Sequence, residues 1–249
     1  MSLKVITIDF WNTLFDSTNG IERNQIRNNS IRTALQKIGR EVTEKEMQDA
    51  VSSAWAHFNR IWTDEMRTPM PRESVEYFWE NLKLPFDESA ISEVVESFEL
   101  AILAKPPKLM KNASYVLDKL AKDYKLAIIS DTGFTPGSIL KQVMKNSGVL
   151  DYFSAFSFSD ETNVAKPHPK AYLTVLEELK CSPENALHIG DIEKTDIVGA
   201  VNMNMYAIRF SGDPTYLTKP NTKQTSGDAE VFDWNDALLE IRRIDSSLF

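Results

Sequence analysis

Short apolar runs alternate with stretches of helical periodicity along most of the chain. Val5-Ile6-Thr7-Ile8, Leu126-Ala127-Ile128-Ile129, Ala186-Leu187-His188-Ile189 and Tyr206-Ala207-Ile208 have the length of buried strands. Strands that take turns with helices predict an α/β fold with a parallel sheet of βα units. The first three runs each stop on a polar cluster, Asp9, Ser130-Asp131 and Gly190-Asp191. Ligands bind at the carboxyl ends of parallel strands, so three such clusters predict one site.

Residues 16–103 break the rhythm. Their apolar positions recur at helical spacing, as Ile31, Ala34, Leu35, Ile38, then Ala50, Ala54, Trp55, Phe58, then Val75, Phe78, Trp79, then Ile91, Val94, Val95, Phe98, with no clear strand among them. This predicts an all-α insertion of four or five helices after the first strand, leaving residues 1–15 and 104–249 as the α/β part. Residues 211–228, with Gly212, Pro214, Pro220 and Gly227 among Thr, Ser and Lys, predict a surface loop before a last strand and a helix from Trp234.

Composition then narrows the classes of function. The 249 residues, 42% apolar and 26% charged, can bury a sizeable core without disulfides or structural metals. The single cysteine, Cys181, admits no intrachain disulfide and is what a reducing compartment permits. No window approaches the roughly 20 apolar residues that span a bilayer, and the first residues lack the pattern of a secretory signal. The expectation is a soluble, cytoplasmic protein, monomeric or homodimeric. Lys and Arg number 28 against 36 Asp and Glu, a net charge of −8, which argues against nucleic acid or an anionic membrane as partner. A small anionic substrate held by a metal is compatible with that charge.

Several polar residues carry the chemistry. Asp9 ends the first strand, and an acid there costs solvation unless a metal or hydrogen bonds compensate it. Asp191 and Asp196 stand five apart at a strand-to-helix turn, a spacing that lets both carboxylates face one hard cation. Ser130 adds a hydroxyl, and Lys166 sits in the stiff turn Ala165-Lys166-Pro167-His168-Pro169.

These four motifs, in this order, resemble those of the haloacid dehalogenase superfamily of hydrolases. The resemblance covers essentially the whole chain and implies a three-layer, Rossmann-like catalytic core over 1–15 and 104–249, with residues 16–103 as its helical cap domain. It implies Asp9 as nucleophile and Ser130 and Lys166 as catalytic groups that hold the phosphoryl oxygens; Trp11, Asn12 and Asp131, beside these motif residues, are expected as phosphate or substrate contacts, and Arg27 of the insertion as a further one. It further implies Mg²⁺ as cofactor, on Asp9, the Trp11 main chain, Asp191 and Asp196, the last directly or through water. The activity expected is a phosphatase acting on a small phosphorylated metabolite through an aspartyl-phosphate.

One residue departs from the pattern. Phosphatases of this family carry a second Asp, the general acid and base, where this chain has Trp11. Trp cannot take up a proton, and losing such a group removes a factor of about 10²–10⁴ in rate. The dehalogenases have Tyr at this position, release halide and need no metal. They usually have Asn after the Ser of motif two, where this chain has Asp131, and Ser and Asn in motif four, where it keeps both acids. The phosphonate hydrolases have Ala there and need a cap lysine, for which Lys37 and Lys45 are the candidates. A catalytically weak metal- and phosphate-binding regulatory protein is a further alternative.

In the insertion, the apolar stripe of the first helix runs back at helical spacing to Asn24, Arg27 and Asn28. Arg23 lies one turn from Arg27, and residues 21–40 hold five basic side chains against one acid, inside an insertion whose residues 16–100 sum to −6. An Arg fork there suits a second phosphate or carboxylate, unless it is an ordinary solvated helix end. His168 and His188, without a second His at ligand spacing, are expected to be structural. Trp55, Phe58, Trp62, Phe78 and Trp79 are expected to form the core of the insertion, with a minority lining a pocket.

Overall fold

A computed structural model describes residues 2–215 and 224–248. Strand β1 (Val5–Ile8) leads into four helices, α1 (Gly20–Lys37), α2 (Glu44–Asp64), α3 (Pro71–Asn81) and α4 (Glu88–Ala104). The chain continues through α5 (Ala113–Asp123), β2 (Lys125–Ser130), α6 (Gly137–Asn146), β3 (Phe153–Phe158), the single turn α7 (Ser159–Thr162) and α8 (Pro169–Glu178). It ends with β4 (Ala186–Gly190), α9 (Val198–Asn202), β5 (Tyr206–Phe210), β6 (Ala229–Val231) and α10 (Trp234–Ser246). The expected loop at 211–228 lies partly outside the described residues.

The six strands form one parallel sheet in the order β3-β2-β1-β4-β5-β6. Its pleat sorts the apolar residues into two layers. Ile6, Ile8, Leu126 and Ile128 face a core that includes Leu117, Leu140 and Trp234. Val5, Ala127 and Ile129 face Tyr172, Val175 and Ile197. Strand β3 is absent from the sequence reading because Ser154 and Ser157 interrupt its apolar residues, as befits an edge strand with one flank unpaired.

Between β1 and α5 the only regular elements are helices, and their stripes meet in a separate core. Ile31, Ala34 and Leu35 of α1 pack with Ala50, Val75, Phe78, Trp79, Ile91 and Val94. The starts of α2 and α4 are fixed locally. Thr43 and Glu46 satisfy each other's backbone amides in a capping box, and Asp87 accepts from the Ala90 amide, each cap contributing about 1 kcal/mol. The two connections to the sheet are stitched by Asp16, whose carboxylate accepts from the Lys108 amide at 2.8 Å and from Thr18. Arg23 adds a strut across them, donating to the carbonyls of Thr18 and Lys105 at 2.7 and 3.0 Å. Among the described residues, no helix is long and apolar enough to cross a membrane.

Candidate active site

The sheet register aligns the carboxyl ends of β1, β2 and β4. Ile8 lies beside Ile128 on one flank and Ile189 on the other, so Asp9, Ser130 and Asp191 emerge along the same edge. Asp9 and Asp191 line a cavity of about 260 Å³ together with Trp11, Asn12, Asp131, Lys166 and Asp196, and with Trp55, Phe58 and Trp62 of the insertion, whereas Ser130 is buried and outside that lining. Those three aromatics thus line the cavity; Phe78 and Trp79 belong to the insertion's core.

Lys166 organises the charges. Its ammonium, buried with only 3% of its surface exposed, donates to Asp9 Oδ1 and to Asp196 Oδ1 at 2.6 Å. Burial would discharge it, but the carboxylates of Asp196, Asp9 and Asp131 raise its pKa well above that of an ordinary lysine. Asp196 is also fully engaged. Its Oδ1 meets Nε2 of His188 at 3.0 Å, and its Oδ2 accepts from the Ile192 amide at 3.0 Å and from Thr195 at 3.3 Å. Burial acts to raise its pKa, yet Lys166 and His188 hold it below the usual carboxylate range.

Beneath this pair lies a contact between neighbouring strands. Thr7 and His188 are register partners on β1 and β4, and Thr7 Oγ1 lies 2.8 Å from His188 Nδ1. His188 is therefore a buried structural residue, as expected of it, and its partner is a residue of the site. Gly190 completes the turn, because a Cβ there would collide with the Asp196 carboxylate. A buried Tyr172 hydroxyl donates to the Thr195 carbonyl at 2.6 Å and holds the same turn from below.

The remaining acids are less compensated. Burial pushes the Asp9 carboxyl up to about 7, with Lys166 opposing and Asp196 adding to the rise. Asp191 is pushed well up by burial and by the charges of Asp196 and Asp9; its Oδ2 accepts from Asn12 Nδ2 at 3.3 Å. Asp131 accepts from the Lys166 amide at 2.9 Å and from Trp62 Nε1 at 2.8 Å, so α2 is tied to the loop after β2. Asp131 too is raised by burial, against the pull of Lys166. Two buried carboxylates, Asp9 and Asp196, and two half-buried ones, Asp131 and Asp191, thus face one ammonium, and this excess of negative charge favours a further cation or protons.

Among the described residues, no three His, Cys, Asp or Glu side chains already converge as a metal cage. Asp9 and Asp191, which both line the cavity, are hard oxygen donors of the kind that suits Mg²⁺, which is bound through one or two carboxylates and keeps several waters. Ser130 adds a second incomplete feature. Its hydroxyl is buried without a hydrogen-bond partner among the described residues, at a cost of about 1–3 kcal/mol unless a ligand satisfies it.

Not every expected residue is in the cavity. Arg27 is outside its lining and faces a separate space within the insertion. The helical stripe gave its face correctly but could not give its distance from β1. Lys37 and Lys45 are exposed, and Lys37 pairs with Glu93 on the outer surface at 2.5 Å, so neither serves as a Schiff-base lysine at this site. Trp11 is held edge-on against Phe10 at 5.0 Å and under the Arg23 guanidinium at 5.7 Å. The tie from Trp62 to Asp131 was invisible in the sequence, because nothing local distinguishes Trp62 from a core aromatic.

Known proteins resemble this chain in sequence and in fold. The chain is 29% identical to a glyceraldehyde 3-phosphate phosphatase of Pyrococcus abyssi over 217 residues, 84% of this chain and 81% of that protein. A protein of the same name from Methanothermobacter thermautotrophicus is also 29% identical, over 51% of this chain and only 55% of its own length. In fold, a 2-haloacid dehalogenase from Pseudomonas syringae superposes with a TM-score of 0.72 at 21% identity, covering 97% of this chain and 99% of that one. Residues 3–204 match the family described as haloacid dehalogenase-like hydrolase, and the chain, with its six-stranded parallel sheet and strand-end acids, belongs to that family of hydrolases.

Proposed function

We propose that the protein is a Mg²⁺-dependent phosphomonoester hydrolase with Asp9 as nucleophile. The observation that carries this reading is the unpartnered, buried Ser130 hydroxyl on the strand edge where Asp9 is bonded to Lys166. A buried donor without an acceptor, at the end of the strand next to the one that carries Asp9, suits a ligand oxygen such as that of a phosphoryl group. The phosphatase names of the 29% identical relatives support the same reading.

In this mechanism Asp9 attacks phosphorus, the ester P–O bond breaks, and the phosphoryl group rests on Asp9 until water removes it. Lys166 and Ser130 bind the phosphoryl oxygens and limit the charge that builds up on them. Asp196, its oxygens already taken by protein donors, orients Lys166, and His188 and Thr7 hold Asp196. Asp9, Asp191 and the Trp11 carbonyl would hold Mg²⁺, and the chemistry it supplies when bound is neutralisation of the charge between nucleophile and substrate. Asn12 fixes Asp191, and Asp131 fixes the turn that carries Lys166.

Trp11 offers no proton to the departing alkoxide, so good leaving groups are favoured. The test is hydrolysis of p-nitrophenyl phosphate and a panel of metabolite phosphates, with Mg²⁺ and with EDTA, by wild type and Asp9→Asn. Activity that needs both Mg²⁺ and Asp9 is expected. The dehalogenase alternative draws on Trp11; chloride release from 2-chloropropionate that survives EDTA would favour it and overturn the phosphatase reading.

A further inference from the structure

The insertion holds a second cavity, of about 100 Å³. Its walls are apolar, with Ile31, Val75, Phe78 and Val94, and Trp55 and Phe134 stand between it and the catalytic cavity. Those two rings meet edge to face at 5.0 Å. Trp55 lines both spaces, and Phe134 directly follows Thr132 and Gly133 of the catalytic lining. The volume is that of about three water molecules, enough for a carboxylate and a short stem.

Two polar groups inside it are incomplete. The Arg27 guanidinium donates to the Phe98 carbonyl at 3.3 Å and to Asn24 at 3.1 Å. It lies 5.1 Å from the Phe134 ring centre and 5.8 Å from that of Phe98. It makes no ion pair among the described residues. Burial, with the charge of Arg23 nearby, pushes its pKa down to about 10, so it stays charged at neutral pH. Ser74 lines the same cavity, and its hydroxyl is buried without a hydrogen-bond partner among the described residues. Arg27 is half-exposed and has guanidinium hydrogens to spare, and the buried Ser74 donor beside the same mostly apolar space has no acceptor, so an acceptor that carries negative charge would complete both. Arg23, by contrast, spends its fork on two carbonyls.

We propose that this cavity is a second anion site, in which Arg27 and Ser74 bind a carboxylate or phosphate borne on a short apolar stem. The anion is either the far end of a substrate whose phosphate sits at Asp9, reaching past Trp55 and Phe134, or a separate small acid. The first case rests on the phosphatase reading above; the second does not. Selectivity for the anionic end comes from the unpaired donors, because a neutral end would leave both unsatisfied.

Two measurements test this. In Asp9→Asn protein, propionate raises the melting temperature by about 2 °C or more, and propan-1-ol does not. The shift at least halves in Ser74→Ala and is lost in Arg27→Met, with Arg27→Lys in between. Without ligand, Ser74→Ala melts no lower than its parent, since it removes an unsatisfied donor. In wild type, kcat/KM is compared between 4-alkylphenyl phosphates and their ω-carboxy counterparts of graded length. A preference of roughly tenfold for the carboxylate at one length, lost in Arg27→Met, identifies a substrate tail. A thermal shift that depends on Arg27 without that preference identifies a separate acid. No such shift together with a ratio near one at every length overturns the proposal. Absence of Asp9-dependent hydrolysis on any substrate, with the shift intact, would remove the phosphatase reading alone.

Discussion

The cavity at the strand ends and the cavity inside the insertion are adjacent, share Trp55, and hold charge in opposite ways. At the strand ends charge is concentrated and interlocked: one ammonium bridges two carboxylates, and one of these is held by four protein donors. In the insertion a single guanidinium stands among apolar side chains with a carbonyl and an amide for company. Interlocking fixes geometry to a fraction of an ångström, as bond-making chemistry requires. An isolated cation selects for charge and tolerates variation in shape.

That contrast can be broken, first at its strongest point. Asp9→Asn should lower turnover of p-nitrophenyl phosphate by a factor of about 10⁴ or more, with circular dichroism unchanged, because an amide cannot serve as this nucleophile. Gly190→Ala should cost stability as well as activity. Its Cβ would collide with Asp196, and forced overpacking of this kind costs about 1–3 kcal/mol, read as a lower midpoint in urea.

Trp11→Asp would restore a proton-transfer group, at the expense of the packing against Phe10 and Arg23. Turnover of alkyl phosphates should rise by a factor of up to about 10²–10⁴ relative to aryl phosphates. An unchanged alkyl-to-aryl ratio would show that proton transfer does not limit the wild type.

The uncompensated acids make a prediction about pH. Burial raises the carboxyl of Asp9 from 3.8 to about 7 and raises Asp131 and Asp191 as well. Between those values the folded protein holds carboxyl protons that the unfolded chain has released, so these three groups lower stability without metal as pH rises from about 4 to about 7. His188, its pKa lowered by burial, acts the other way just below 6.5. Asp196 is shifted the other way and loses its contribution only below 3.8. The melting temperature in EDTA should therefore drop across that window, and Mg²⁺ should restore more of it at pH 8 than at pH 5. The smallest effect expected is that of Trp62→Phe, which removes the 2.8 Å bond to Asp131 and should raise KM a few-fold with kcat less affected.

The same contrast explains how much could be read from the sequence. A parallel sheet converts position along the chain into position in space, since register fixes which strand ends are neighbours. The apolar runs of β1, β2 and β4 therefore carried the arrangement of Asp9, Ser130 and Asp191, and the resemblance to the hydrolase family rested on that order. Helices offer no such conversion. The stripe of α1 identified the face that holds Arg27, but its depth in the insertion depends on how α1 packs on α4 and on where the loop after β2 sends Phe134. The unpartnered hydroxyls of Ser130 and Ser74 are likewise properties of three-dimensional surroundings. No local pattern separates them from any other serine.

The central claim is that Asp9 forms a covalent bond to phosphorus. Its direct test is an acid quench of wild-type protein during turnover of an aryl phosphate with Mg²⁺, followed by digestion and mass spectrometry of the peptide that contains Asp9. The account predicts a phosphoryl adduct on Asp9 that appears within one turnover, is removed by hydroxylamine and is absent from Asp9→Asn. Phosphate release at full rate with no adduct on that peptide at any time would contradict it.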